Sequence, residues 1–422
     1  MLRIVQALDG GICRIKLPGG LLTADQAEAV ANAAQVYAGG VIEATNRANL
    51  QIRGIVGEHG ALVEALLTAG LGPRQAAGDD VRNVLLSPAA GLDPQQLLDV
   101  RPLAAQLLAS LEQEPRLHAL SAKFAIQLDG GEALAMLEHH HDVWLSPVII
   151  DGAGWMAFGL AGCPGHDPAL GAVPASNAHA LVLAVLDAFL ACATAEQHRL
   201  RDLLEGTSAA GFVADLAAQR RNLGIRSVDF HRAPVTATPI GVHAQYQPGH
   251  SLVVAGAALG RLDAEQLRGA AGLARRLGDG TLRITPWQGL LLPGIASADA
   301  ATVQLALAAL GWLVDPAQPL ASLIACTGSS GCAKGLADTK ADAHRLAATL
   351  LEPAAVHLSG CARSCAAAHV APATLLAVGN GYYDLYLRDA TLPGFGALQA
   401  THITVQEAGA LLDARSRSNT HD

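Results

Sequence analysis

Aromatic side chains are scarce in this chain: Phe, Trp and Tyr make up 4% of its residues, and charged residues only 15%. Hydrophobic residues nonetheless reach 51%, so there is ample apolar surface to bury and the composition is not that of a disordered segment. An Ala-, Leu- and Gly-rich globular enzyme fits this balance. No uninterrupted apolar run reaches the ~18 residues that a membrane helix needs, and the Ala/Leu-rich stretch 179–193 is broken by His179 and Asp187. The segment Met1–Gly10 lacks the apolar centre of a signal peptide. These absences predict a cytoplasmic protein with no membrane contact. Positive charge is also in short supply. A formal charge of −9 argues against general nucleic-acid binding, which needs a basic face, and any anionic ligand must meet a local basic pocket. No Gly-x-Gly-x-x-Gly dinucleotide fingerprint is present.

At 422 residues the chain exceeds the usual size of one hydrophobic core, so two or three domains are expected. The sequence repeats itself, without a gap, at a spacing of 240 positions: Gly20, Leu22, Ala24 and Gln26 correspond to Gly260, Leu262, Ala264 and Gln266. Gly40, Thr45, Leu50, Gly54 and Ile55 correspond to Gly280, Thr285, Leu290, Gly294 and Ile295. Each copy reads as a Gly turn, a helix N-cap at Thr23 or Asp263, a helix ended by glycines, and a strand over 41–45 or 281–285 that leads to a second apolar segment. This is a β-α-β half-module present twice.

The likeness continues beyond the modules, from Arg82–Ser87 to Ser322–Thr327 and from His139–Leu145 to Gly381–Leu387. It predicts four segments: a first half-module (1–75), a domain without cluster cysteines (76–235), a second half-module (236–315) and a cluster-binding domain (316–422). Where the later copy has Cys326 and Cys332, the earlier one has Leu86 and Leu92, so only the later copy can hold a metal cluster. The charged stretch from about 195 to 235 is expected to link the halves.

Four of the seven cysteines fall within 40 residues, as Cys326-Thr-Gly-Ser-Ser-Gly-Cys332 and Cys361-Ala-Arg-Ser-Cys365. Four thiolates are what a [4Fe-4S] cube requires, and a Gly-rich loop lets backbone N–H groups approach its sulfides. A four-cysteine zinc site is the alternative, although its pairs are usually spaced more tightly. Cys13, Cys163 and Cys192 stand alone and read as packed thiols.

The two cysteine pairs, together with the downstream Tyr383-Asp384-Leu385, resemble the C-terminal half of the sirohaem-dependent sulfite and nitrite reductases. The resemblance covers nearly the whole chain. Within that superfamily, Pro18-Gly-Gly20, Gly91–Pro94 with Asp99–Pro102, Lys123-Phe124 with Leu128–Gly131, Leu282–Trp287 and Cys332–Asp338 are similar to the precorrin-3B synthase branch. The resemblance implies an α+β, pseudo-two-fold duplicated fold with ferredoxin-like half-domains and an iron-sulfur domain. It implies a [4Fe-4S] cluster on Cys326, Cys332, Cys361 and Cys365, and a tetrapyrrole where three domains meet. In the reductases the last cysteine, here Cys365, is shared with the sirohaem iron. In the branch just named the tetrapyrrole is substrate, so that role does not carry over.

Tetrapyrroles rich in acetate and propionate need several Arg or Lys side chains. By motif match, Arg47, Arg82 and Lys123 occupy positions that are basic in the reductases, with Arg53, Arg283 and Arg363 as weaker candidates. Two departures matter. The reductases carry a second Lys two places after the first, where this chain has Ala125, and Ala366-Ala-Ala-His369 replaces their Ala-His-Pro. The first departure disfavours reduction of a small oxyanion.

The branch implies oxygen-dependent hydroxylation of precorrin-3A at C20, with lactone formation from the ring A acetate, as a step of aerobic cobalamin biosynthesis. It also implies O2 as co-substrate, NADH as indirect donor through a separate electron-transfer reductase, and a mononuclear non-haem iron. No catalytic side chain is assigned. His139, His140 and His141 are the only tight histidine group, but neighbours on a strand face opposite ways, so at most two can share one metal. The competing expectations are a sirohaem-dependent sulfite or nitrite reductase, and a non-enzymatic tetrapyrrole or iron-sulfur carrier.

Overall fold

The sequence repeat becomes geometry in the computed structural model, which describes residues 1–235, 238–367, 370–389 and 391–419. His369 lies outside the described residues. Helices Ala24–Tyr37 and Ala264–Leu277 both open on reciprocal capping boxes. In the first, Thr23 Oγ1 accepts from the Gln26 N–H and Gln26 Oε1 from the Thr23 N–H, both at 3.1 Å. In the second, Asp263 and Gln266 do the same at 2.8 and 3.0 Å. Ala27, Val30, Ala31 and Ala34 are buried on one helix and Leu267, Ala270, Ala271 and Ala274 on the other, the i, i+3, i+4, i+7 stripe of an amphipathic helix. Mostly small side chains let the two helices share one core with both sheets.

The half-modules exchange strands. One sheet runs Val5–Ala7, Gly10–Ile15, Leu50–Ile55, Val41–Ala44 and Arg261–Asp263, the last from the second copy. The other runs Gly241–Ala244, His250–Gly256, Gly289–Ala296, Thr281–Ile284 and Leu21–Thr23, the last from the first copy. Even the first N–H of each helix is taken by the other copy: Ala24 N donates to Gly280 O at 2.9 Å and Ala264 N to Gly40 O at 3.0 Å. Backbone torsions repeat as well, with Gly20 and Gly260 at φ 70° and 74°. A Cβ at Gly20 would stand 2.1 Å from Ile284 O, so glycine is needed where the copies cross.

Two further sheets have matching topology. Val84–Leu86, Ile126–Leu128 and His141–Ile150 run parallel, followed by antiparallel Ala153–Gly162 and Gly171–Pro174. Leu323–Ala325, Val356–Ser359 and Ala373–Gly379 run parallel, followed by antiparallel Tyr382–Leu387 and Ala397–Ile403. Each has its own core. The stretch Ala175–Cys192 is apolar enough by length and composition to cross a membrane. Its Leu181, Val182, Val185, Leu186 and Phe189 are buried in the first of these cores, while His179 bonds Ser110 and Asp187 pairs with Arg116. It is a core helix. Cys13 and Cys163 are buried as expected, but Cys192, at the end of this helix, is exposed.

The segment after residue 224 is pinned by Arg232, whose Nε meets Asp129 Oδ2 at 2.7 Å and whose Nη2 donates to Glu132 O at 2.9 Å. Burial, then the neighbouring Asp129, push the Glu132 carboxyl well above the usual range. Between the ordinary Glu value and this raised one the native state holds more protons than the unfolded chain, so stability falls as pH rises through that window. Glu132→Gln should flatten this slope in the thermal midpoint, and an unchanged slope would remove Glu132 as its source.

Candidate functional site

The four cysteines sit at the carboxyl ends of two adjacent parallel strands, where open parallel sheets place their ligands. Cys326 follows Leu323–Ala325, and Cys361 follows Val356–Ser359. Glycine brings the loops together: a Cβ at Gly335 would lie 2.5 Å from Gly328 C, and one at Gly360 would lie 3.3 Å from Cys326 Sγ. The Gly360 N–H donates to Cys326 Sγ at 3.1 Å, and Thr339 Oγ1 lies 3.6 Å from the same sulfur. Burial, then the Cys361, Cys326 and Cys332 sulfurs, push the Cys365 thiol up.

All four line one cavity of about 720 Å³, within the range of small-molecule sites. Among the described residues no three of their sulfurs lie mutually within 4.8 Å. The donors fit a [4Fe-4S] group: four thiols, backbone N–H groups and a glycine-lined cradle.

The opposite wall is the outer face of the first sheet, with Ile12, Arg14, Gln51 and Arg53. Arg53 is held by Asp9, at 3.0 Å from Nε to Oδ2 and 2.9 Å from Nη2 to Oδ1. Its other side faces Glu43 at 3.5 Å. Glu43 also meets Arg261 at 2.8 Å and Lys340 at 3.7 Å, so one carboxylate joins both half-modules to the cysteine domain. Burial pushes the Glu43 carboxyl up, but Lys340, Arg53 and Arg261 outweigh it and hold it below the usual range. Glu43→Ala would leave Arg261 and the buried Lys340 without a carboxylate partner and the buried Arg53 with Asp9 alone. It should cost about 3–5 kcal/mol, read as a lower urea midpoint at unchanged slope; a loss below about 1 kcal/mol would mean the network contributes little.

Arg14, Lys334 and Arg363 also line the cavity and, among the described residues, enter no salt bridge. Burial, then the cations Arg3 and Arg53, hold Arg14 below the usual arginine range; a bound anion would relieve that repulsion. A second, apolar cavity of about 310 Å³ adjoins the first, sharing Asn46, Gly260, Gln288 and Ala366. It is lined by Trp287, Pro286, Ile240, Val254 and His139 among others.

The basic residues singled out by motif lie elsewhere. Arg82 is buried and paired with Asp79 and Glu112, each at 3.3 Å. Arg47 is half-buried, its Nη2 donating to Lys123 O at 3.3 Å, and Lys123 is exposed. None of the three lines either cavity, although Asn46, next to Arg47, lines both and donates to Ala366 O at 3.2 Å. Of the weaker candidates, Arg53 and Arg363 line the large cavity, while Arg283 is spent on Pro88 O and Ala90 O at 2.7 and 2.8 Å. Arg14 and Lys334 were not singled out by sequence. The repeat holds a signal for the first: Ile12, Arg14 and Gln51 correspond to Leu252, Val254 and Leu291, which pack on Ala89 and Leu134. One copy of the sheet face is closed by apolar packing while the other keeps polar groups over the cysteines. His139 and His141 are buried and His140 is exposed, with only His141 inside the strand His141–Ile150. His141 Nδ1 contacts His139 O at 2.7 Å, and burial takes its pKa down to about 3.

The comparisons with known proteins follow this division. Residues 6–69 and 243–310 match the nitrite/sulfite reductase ferredoxin-like half domain, and residues 77–221 match the nitrite and sulphite reductase 4Fe-4S domain. The chain belongs to the nitrite and sulfite reductase superfamily. Its relatives in that superfamily include a precorrin-3B synthase of Sinorhizobium sp, 27% identical over 90% of this chain and 80% of the relative. A chloroplastic ferredoxin–nitrite reductase of Arabidopsis thaliana is 28% identical over 85% and 66%. The solved structure of the Mycobacterium tuberculosis NirA protein matches with a TM-score of 0.79 at 23% identity, covering 96% of this chain and 80% of that one; it shows the superfamily fold. The duplicated α+β architecture expected from sequence is therefore the observed one. Superfamily membership supports an iron-sulfur cluster. The 4Fe-4S domain match covers the copy that carries Leu86 and Leu92, whereas the four grouped cysteines belong to its partner copy.

Proposed function

We propose that this chain is an iron-sulfur oxidoreductase acting on a carboxylate-rich reduced tetrapyrrole, with the activity of a precorrin-3B synthase. The observation that carries this reading is the meeting, in one cavity, of four thiols and three cations that enter no salt bridge among the described residues. Cys326, Cys332, Cys361 and Cys365 would hold a [4Fe-4S] cluster, which supplies single electrons when bound. The Gly360 N–H steadies the Cys326 sulfur, and the Thr339 hydroxyl, donating to Cys326 O at 2.7 Å, fixes the backbone that carries it. Arg14, Lys334 and Arg363 would take carboxylates of the macrocycle, and Arg47 and Lys123, at the neighbouring rim, would take others.

The reaction fitting this site is the O2-dependent hydroxylation of precorrin-3A at C20 with lactonisation. Its two electrons would come from NADH through a separate reductase, and a mononuclear iron, when bound, would supply a place for oxygen to bind. Ala125 supports it over oxyanion reduction: its side chain holds no proton, and its backbone N–H is given to Asp142 Oδ2 at 2.8 Å. A cytoplasmic location belongs to the same reading.

Anaerobic purification, iron and sulfide assay and acid–acetone extraction test it. About four irons and four sulfides without extractable sirohaem, together with O2-dependent turnover of precorrin-3A, are expected. Extractable sirohaem would move the chain to the nitrite or sulfite reductases, in line with the Arabidopsis relative, and zinc in place of iron would defeat both readings.

A further inference from the structure

Strand register gathers another set of donors away from the four cysteines. Strands His141–Ile150 and Ala153–Gly162 pair antiparallel with His141 opposite Gly162, so the next rung sets His140 against Cys163. The chain then turns back on itself. Cys163 O accepts from the His166 N–H at 3.3 Å and the Asp167 N–H at 3.0 Å, while Asp167 Oδ2 accepts from the Cys163 N–H at 2.8 Å. The Gly165 N–H donates to Leu137 O at 2.9 Å, fixing the turn to the segment that carries His140. Two glycines permit the approach: a Cβ at Gly162 would lie 2.3 Å from Asp167 Oδ2, and one at Gly165 would lie 2.8 Å from Leu137 O. As a result, one ligand atom each of His140, Cys163 and Asp167 lie within 4.8 Å of one another, the only such group of three among the described residues.

We propose that His140, Cys163 and Asp167 form a mononuclear site for a divalent first-row transition metal ion, of the iron(II) or zinc(II) class. A thiolate and an imidazole select such ions over calcium or magnesium, which prefer oxygen donors. The charges balance: on binding, the Cys163 thiol gives its proton to solvent, and thiolate and carboxylate together neutralise the dication. Cys163 is fully buried, and among the described residues its thiol makes no hydrogen bond that metal binding would break. His140 is exposed, which leaves an entry path and an outward position for water or an exogenous ligand. His139, one residue away, lines the smaller cavity, so the ion would sit just behind its wall. The site stands whether or not the tetrapyrrole reading holds.

Cobalt(II) is the probe. Anaerobic holoprotein with its cluster retained, treated with a mild chelator, titrated with cobalt and desalted, should keep about one cobalt per chain and show a thiolate-to-cobalt charge-transfer band. His140→Ala, at an exposed position that does not threaten folding, and Asp167→Asn should each weaken binding at least tenfold. Cys163→Ser should remove the band, and Cys13→Ser should leave it intact; cluster iron, measured in parallel, should stay constant throughout. A wild-type protein that retains no cobalt, or a His140→Ala protein that binds it as tightly, overturns the site.

Discussion

Cys361→Ala should bring iron and sulfide from about four each per chain to near zero and remove the broad cluster absorption. The expectation follows from where the residue sits. Cys361 leaves the carboxyl end of the Val356–Ser359 strand, and its carbonyl is fixed by Ser359 Oγ at 2.7 Å. The sulfur cannot be replaced by a neighbour, because the other three thiols of the cavity are themselves the remaining proposed ligands and the backbone N–H groups of Cys326 and Cys332 are tied to Leu358 O and Gly328 O at 3.2 and 2.9 Å. A cube left with three thiolates and an open iron is prone to loss. The same substitution should abolish turnover, since the cluster is the group proposed to pass electrons to the substrate. Cys13→Ser and Cys192→Ala, at thiols far from the loops in sequence, should keep the full iron content. A Cys361→Ala protein that still holds four irons would show that the four thiols are not the ligand set.

Arg14→Glu should weaken binding of precorrin-3A by about 100-fold. A charge-assisted hydrogen bond to a carboxylate contributes about 1.5–3 kcal/mol, and reversing the sign adds repulsion between this exposed position and the carboxylates of the macrocycle. Lys334→Ala, which removes one cation and introduces no repulsion, should cost about tenfold. The Arg14 effect should shrink as salt rises, because part of it is long-range attraction. Arg101→Glu is the control, since Arg101 is exposed and already occupied by Asp99 at 2.7 Å. Tetrapyrrole absorbance titrations read all four proteins. A change under threefold for Arg14→Glu would take the cysteine cavity out of macrocycle binding and leave Arg47 and Lys123 as the place to look.

The duplicated modules were legible because their information is local. Caps at Thr23 and Asp263, apolar stripes three and four residues apart and glycine stops all act within a few residues, and each appears twice. The exchange of Leu21–Thr23 and Arg261–Asp263 between sheets was not legible. It depends on pairings across more than 200 residues that leave no mark on either short strand. The cysteines announced themselves by type and spacing. Arg14 and Lys334 did not, because a lone cation on a strand or loop has the same pattern whether it faces solvent or a cavity. Arg82 shows the reverse case: Asp79 is near in sequence, but Glu112 reaches it only through the helix Arg101–Gln113. The His140, Cys163 and Asp167 group likewise needed the register of two strands before its members could be seen together.

The strand exchange sets an order of events during synthesis. The first sheet lacks its edge until Arg261–Asp263 has emerged from the ribosome, and Leu21–Thr23 has no sheet to join until Thr281–Ile284 follows. For most of translation Leu21–Thr23 and the outer edge of Val41–Ala44 must wait with unpaired backbone exposed, a state that invites association with other chains. Arg14 and Arg53 can take their places early, since their two strands pair within the first 55 residues, but the loops bearing Cys326 and Cys361 emerge after both half-modules. Cluster delivery to the proposed cysteine ligands would therefore come late, and slow growth at low temperature should raise the yield of cluster-loaded protein more than added iron does.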